Sequence, residues 1–515
     1  MNDWFKVRLS YSPRNDVTPL GNNTFYISID WGVQGAGRPL GWALRLNAFA
    51  DPNDNAADFV TARALQRNVT SIEAQSQICS WIRKCSGHEC CLAQRDAILP
   101  ARIIEVSPTR SPSAPRLLIT NGGVGKYATL SYCWGASHSS LISSSNMEEY
   151  RHHLDVATLP KTIQDAISVT RAISIPYLWV DALCILQDSD EDKTREIAMM
   201  EQIFRDSLVT LVAASSDNAS RGFLQLRSGH STAYRVPFRI SPSTFGTMSI
   251  QDLDDVIYDE TLEPINRRAW TLQEQLLAQR LVIYSSHTLQ WRCKAGIHNL
   301  GDSLNHSAFD EELYSETLFT LSKRYPESHL SLLQWMKIIH VYTERQASLP
   351  NDKLPALAGI VKEFSSELGP CYYAGLWEYC LLWQLMWKTF LPDRYQISKP
   401  SQYRAPSWSW ASIEGRIWYE HYDDTSQYTP YNCAITHVDT TLKSINSPHG
   451  EVKDASLTLR ALLRKAWFYP KTKNVLWVKG SDDSADSALD RHLEKFIEEH
   501  PEDAHTLDSS HGGAA

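Results

Sequence analysis

The chain predicts an α/β fold in which a doubly wound, mostly parallel sheet is preceded by a small β region and followed by a mixed, aromatic-rich region. Three observations carry that prediction. Apolar runs of strand length recur between Tyr127 and Tyr284. Segments with helical spacing stand between them. The runs also lack the polar alternation of a sheet with one wet face, as expected of strands covered on both sides.

Taken in order, residues 1–60 contain alternating stretches, with Phe25, Ile27 and Ile29 in one and Trp42, Leu44 and Leu46 in another, which fit half-buried strands. Residues 61–126 read as a helical and irregular connection. The helical pattern runs from Asp58 to Trp81, and Pro100, Pro108, Pro112 and Pro115 then interrupt regular structure. The central unit covers residues 127–295. Tyr127 to Trp134 is its first strand. Pro160 stands where a first-turn proline is tolerated, and Ile163, Ala166, Ile167 and Thr170 line a crossover helix that Pro176 ends. Tyr177 to Ile185 is a second strand. Ser189 caps the next helix, whose first turn holds Asp190, Glu191 and Asp192 and whose apolar side holds Ile197, Met200, Ile203 and Phe204. Leu208 to Ala213 is a third strand. After an insertion from about Ser215 to Pro264, a helix beginning at Arg268 leads into a fourth strand, Leu281 to Tyr284. In residues 296–478 the tryptophan-rich stretches Leu376 to Trp387 and Pro406 to Ala411 are expected to pack against the sheet unit. The acidic tail, residues 479–515, is expected to be mobile apart from a short helix around Leu493.

Composition narrows the function. At 515 residues the chain exceeds one ordinary core, and 17 Trp, 22 Tyr and 43% hydrophobic residues describe a globular protein rather than a disordered one. A formal charge of −9 provides no basic field for phosphate backbones, so nucleic acid is disfavoured as a partner. The first residues lack a signal-peptide layout, and no apolar run approaches the ~20 residues that span a bilayer. A cytoplasmic location is expected. Ten cysteines in this length do not make a disulfide scaffold, and they are expected to be reduced and mostly buried. Cys85, His88, Cys90 and Cys91 form a compact cluster. Zinc normally takes two ligand pairs, and no second Cys/His pair stands nearby in sequence, so buried thiols beside a surface histidine are expected rather than a metal.

Trp270 and Glu274 lie four apart on one helix face. An indole beside a carboxylate can raise its pKa and form a wall for a flat ligand. The spacing alone suits a core tryptophan equally, with Glu274 capping or pairing with Arg268 or Arg280. No Gly-x-Ser-x-Gly elbow supports a serine hydrolase, and His138 reads as a loop residue. Nor does a Gly-x-Gly-x-x-Gly fingerprint follow any strand, so no bound hydride cofactor is expected.

Three tryptophan-centred segments, Tyr127 to Gly135, Leu178 to Ile185 and Arg268 to Glu274, resemble the three blocks of the fungal heterokaryon-incompatibility (HET) domain, over roughly Tyr127 to Cys293. The order of these elements is also similar to that of TIR domains, a flavodoxin-like architecture. What the resemblance implies is a role in programmed cell death when incompatible fungal cells fuse, a form of innate immunity. In enzymatic TIR domains a helix glutamate is required to cleave the nicotinamide–ribose bond of NAD, and Glu274 matches it best. NAD would be a substrate, with no cofactor and no metal. Ser131, Tyr132 and Trp134 at the end of the first strand and Asp181 towards the end of the second would open onto the same crevice. Asp181 is as readily a loop-bracing carboxylate, and Tyr132 and Trp134 as readily pack against the C-terminal region. Arg268 could hold a pyrophosphate or pair with Glu274. The competing expectation is a non-catalytic adaptor that self-associates, as a homo-oligomer, and recruits an incompatibility partner protein.

Overall fold

A computed structural model of the chain describes residues 3–12, 24–33, 44–93, 95–106, 114–135, 141–229, 232–252, 257–303, 306–307, 328–389, 397–419, 433–444, 447–461, 467–469 and 474–476. Trp42, His138, most of the stretch after Thr389 and the acidic tail with Leu493 lie wholly or partly outside them. The chain divides into a large unit, residues 1–428 and 438–456, and a small one, residues 429–437 and 457–515. The described part of the small unit includes a hairpin of Trp467–Tyr469 with Asn474–Leu476.

The strands that matter here are β1 (Asp3–Ser12), β2 (Thr24–Val33), β3 (Leu44–Phe49), β4 (Arg102–Glu105), β5 (Arg116–Ile119), β6 (Tyr127–Ser131), β7 (Tyr177–Trp179), β8 (Val209–Val212), β9 (Tyr234–Arg239), β10 (Phe245–Asp252), β11 (Arg280–Tyr284), β12 (Leu289–Cys293) and β13 (Gly296–Asn299). The helices are α1 (Ile72–Cys85), α2 (Lys161–Ala172), α3 (Asp181–Cys184), α4 (Asp190–Asp206), α5 (Ala269–Leu277), α6 (Ser328–Thr343) and α7 (Ala358–Leu368).

Eight strands form the main sheet, in the order β13-β12-β11-β8-β6-β7-β4-β5. The fold is α/β, and the sheet is mixed. Its four central strands, β7, β6, β8 and β11, are parallel, as the apolar runs predict. The flanking pairs are antiparallel, which corrects the mostly parallel expectation. The reason is local: β11, β12 and β13 follow one another through turns of a few residues, and such short links can only reverse the chain. Every residue of β6, β8 and β11 is buried. Several polar side chains in this interior find partners, with Thr129 Oγ1 and Thr210 Oγ1 at 2.7 Å and the Tyr127 hydroxyl donating to the Ile203 carbonyl at 2.8 Å.

The second strand ends earlier than its apolar run. β7 stops at Trp179, so Val180 lies just beyond the strand and Asp181 opens the short helix α3. Ser131 ends β6, and Tyr132 to Trp134 leave the sheet in irregular backbone. Gly135 sits at φ 76°, and a Cβ there would meet the Asn218 side chain at 2.5 Å, so glycine is required where the insertion closes over this turn. Helix α2 begins with Pro160 as its flanking residue, and α4 begins with Ser189, whose hydroxyl accepts the Asp192 N–H at 3.2 Å. Helix α1 starts only at Ile72, because Ser71 caps it, and it buries Ala74, Ile78, Trp81 and Cys85 along one stripe.

A separate five-stranded antiparallel sheet has the order β1-β2-β3-β10-β9. The alternating N-terminal stretches therefore do form strands, and the insertion between β8 and α5 completes their sheet with a hairpin. Among the described residues no helix is long and apolar enough to cross a membrane.

Candidate active site

Glu274 lies on α5 with its carboxylate turned into the sheet, where Ser131 at the carboxyl end of β6 donates its hydroxyl to Oε2 at 2.5 Å. Both are inaccessible, at 5% exposure for Glu274 and none for Ser131. Burial pushes the Glu274 carboxyl up to about 7, and Asp181 adds to the rise, while Arg268, the Ser131 hydrogen bond and Arg345 hold it back. Asp181 stands across the same space. Its Oδ2 accepts the Trp134 indole N–H at 2.8 Å and its Oδ1 accepts the Ala182 amide at 2.7 Å. Burial raises the Asp181 pKa, with Arg268 opposing, and raises that of the neighbouring Tyr132 phenol well above its usual value.

Arg268 immediately precedes α5 and donates to the Tyr132 carbonyl. Among the described residues it makes no direct ion pair, yet its charge lowers the pKa of both Glu274 and Asp181, so it stands as the shared cation of the group. Trp270 takes a different direction from Glu274. Its indole N–H donates to Asp352 Oδ2 at 3.0 Å, toward the C-terminal region, whereas the carboxylate one turn later faces Ser131. Ser131, Tyr132, Trp134, Asp181, Arg268 and Glu274 thus gather at one edge of the sheet, whereas Trp270, half-buried against the core, turns its indole N–H to Asp352. Arg280 is remote from Glu274, with its guanidinium against Cys85 and the Leu92 carbonyl.

The C-terminal region supplies residues that sequence reasoning missed. Arg345, 3% exposed, donates to the Arg268 carbonyl at 3.2 Å, to Thr271 Oγ1 at 3.0 Å and to Asn266 Oδ1 at 3.1 Å. The Gln346 carbonyl accepts the first amide of α5, from Ala269, at 2.8 Å, so a neighbouring strap provides the missing cap. Lys353 donates to the Arg345 carbonyl at 3.1 Å, and Gly359 N donates to Gln273 Oε1 at 2.8 Å. These residues lie some seventy positions or more beyond α5, and no local pattern marks them.

Residues 127–274 match the family model described as heterokaryon incompatibility protein (HET). The chain carries a HET domain. The match begins at the first residue of β6 and ends at Glu274, so it takes in Ser131, Tyr132, Trp134, Asp181, Arg268, Trp270 and Glu274 and leaves Arg345 and Asp352 outside. No curated protein and no solved structure matches the chain. The polar group of the HET domain is therefore internal to the matched segment, whereas the strap that covers it belongs to the rest of the chain.

Proposed function

We propose that the protein is a heterokaryon-incompatibility cell-death effector that hydrolyses the nicotinamide–ribose bond of NAD, with Glu274 as the carboxylate at the reacting sugar. The observation that carries this reading is the buried Ser131–Glu274 pair at the carboxyl end of β6, beside Asp181 and Arg268. In open α/β sheets ligands bind outside those strand ends. The four parallel strands also run in the order second, first, third, fourth along the sheet, which is the flavodoxin-like order and supports a TIR-like relationship.

The chemistry suits these residues. Nicotinamide departs as a neutral base, so the leaving group needs no proton. The electron-poor sugar left behind is oxocarbenium-like, and an ionised Glu274 stabilises it until water adds at the anomeric carbon and releases a proton. Products are ADP-ribose and nicotinamide. Ser131 fixes the carboxylate, Asp181 holds the ribose hydroxyls, Arg268 offsets the pyrophosphate, and Tyr132 and Trp134 form the apolar walls. At 5% exposure Glu274 is closed off, so this arrangement is a resting state that opens when the strap around Arg345 and Asp352 moves.

The same closure supports a second reading, in which the HET domain is a non-catalytic scaffold and Glu274 a structural carboxylate. Expression of wild type and Glu274→Gln at matched levels separates the two. Hydrolysis predicts NAD loss and death with wild type, neither with Glu274→Gln, and a milder defect with Asp181→Asn. Equal toxicity without NAD loss in either strain decides for the scaffold.

A further inference from the structure

We propose that Cys85, His88, Cys91 and Cys293 form a Cys3His site for one zinc ion that joins the end of α1 to strand β12 of the main sheet. The inference is independent of the chemistry assigned to Glu274. Cys85 is the last residue of α1, His88 and Cys91 follow in the next turns, and Cys293 closes β12 some two hundred residues later. Their ligand atoms all lie within 4.8 Å of one another. His88 Nδ1 is 3.8 Å from Cys91 Sγ and 3.7 Å from Cys293 Sγ. A tetrahedral zinc with ordinary Zn–S and Zn–N bonds separates its sulfur and nitrogen ligands by about 3.6 Å and its sulfurs by about 3.8 Å, so the two edges from His88 already match and the four atoms are close enough to contract onto one ion.

The sequence cluster alone lacked a second ligand pair. The fold supplies the missing ligand from β12, and Cys90, adjacent to Cys91, is not among the convergent four. Spacing inside the first group is Cys-x2-His-x2-Cys, tight enough for one ion to bind all three.

Charge provides a second observation. Three thiolates and a neutral imidazole around Zn²⁺ leave a net charge of −1, and Arg280 is placed to offset it. Its buried guanidinium donates from Nε to Cys85 Sγ at 3.2 Å, and among the described residues it has no carboxylate partner. A guanidinium aimed at sulfur is better matched to a thiolate than to a neutral thiol. Beside the group, Trp81 stacks on Trp291 at 6.1 Å between ring centroids, and His88 lines a cleft of about 430 Å³ together with Lys84, His298 and Asp302. That cleft gives an ion or a chelator a path from solvent. Binding replaces three thiol protons by the metal, and the bonds formed tie α1 to β12 covalently in all but name.

Full-length protein purified under reducing conditions, without chelator, tests the assignment by metal analysis and cobalt exchange. The expected result is about one zinc per chain in wild type and in Cys90→Ser, and less than about a tenth of that in Cys91→Ser and Cys293→Ser. Cobalt in place of zinc should give the visible bands of a tetrahedral ion with thiolate charge transfer. The cobalt spectrum of wild type decides the matter if the Cys293→Ser chain does not fold. Wild type that holds no zinc and gives no such spectrum after reconstitution overturns the proposal, as does a folded Cys293→Ser chain that keeps its zinc.

Discussion

At Glu274 one carboxyl group links burial, stability and chemistry. Its folded pKa is raised to about 7 from an ordinary value near 4.5, so the folded state holds its proton more tightly than the unfolded chain. The resulting stability is fully present below the unfolded pKa and is lost as pH rises through about 7. Integrated, the loss is roughly 3 kcal/mol. Glu274→Gln removes the titration, so its unfolding temperature at alkaline pH should exceed that of wild type, and the two should converge in acid. Thermal unfolding across that range measures it, and a wild type that gains stability from mildly acid to alkaline pH relative to the variant would contradict the burial account. Much of this environment was legible beforehand. Ser131, Asp181 and Arg268 end or begin apolar elements, where side chains reach a sheet edge. Arg345 and Asp352 were not legible, because a contact across seventy or more residues leaves no mark in local periodicity.

Among the elements, α5 is the one whose position depends on everything around it. Its first amide is satisfied by Gln346 and its flank by Arg345, so Arg345→Ala should cost roughly 2 to 4 kcal/mol, as expected for a buried charged donor with several acceptors. Hydrogen exchange should show the α5 amides opening before those of β6 and β8. Uniform protection in that variant would mean that the strap does not hold the helix. In the sheet, Leu211 is fully buried in β8, and Leu211→Ala should cost about 2 to 5 kcal/mol by denaturant unfolding. A cost below about 1 kcal/mol would contradict a packed strand there. The central strands were readable from their apolar runs, but β4 and β5 lie in the segment 61–126 that reads as a helical and irregular connection, and the first two runs overshoot their strands. The run Tyr177 to Ile185 continues past the end of β7, and apolar residues alone cannot separate a strand from the buried turn of helix that follows it.

For the whole molecule, the antiparallel pairs β11-β12, β12-β13 and β4-β5 join consecutive strands that turn back on one another, whereas β4 meets β7 antiparallel across some seventy residues. Apolar runs carry no mark of pairing direction, which is why the mixed character of the sheet emerged only from the structure. The same limit hid the relation between the N-terminal strands and the insertion, which meet as β3 and β10 across some two hundred residues. Closure of the polar group is likewise a property of the full chain, since the strap lies outside the matched segment. On the proposed function Glu274 cleaves NAD once that strap moves, and Asp352→Ala, which removes the acceptor of the Trp270 indole N–H, loosens it. Nicotinamide production from NAD by folded Asp352→Ala protein, at concentrations that permit self-association, is the most direct measurement. Nicotinamide production is expected above that of wild type, and none when Glu274→Gln is added. A folded Asp352→Ala protein that releases no nicotinamide, or one whose activity survives Glu274→Gln, would contradict the proposed function.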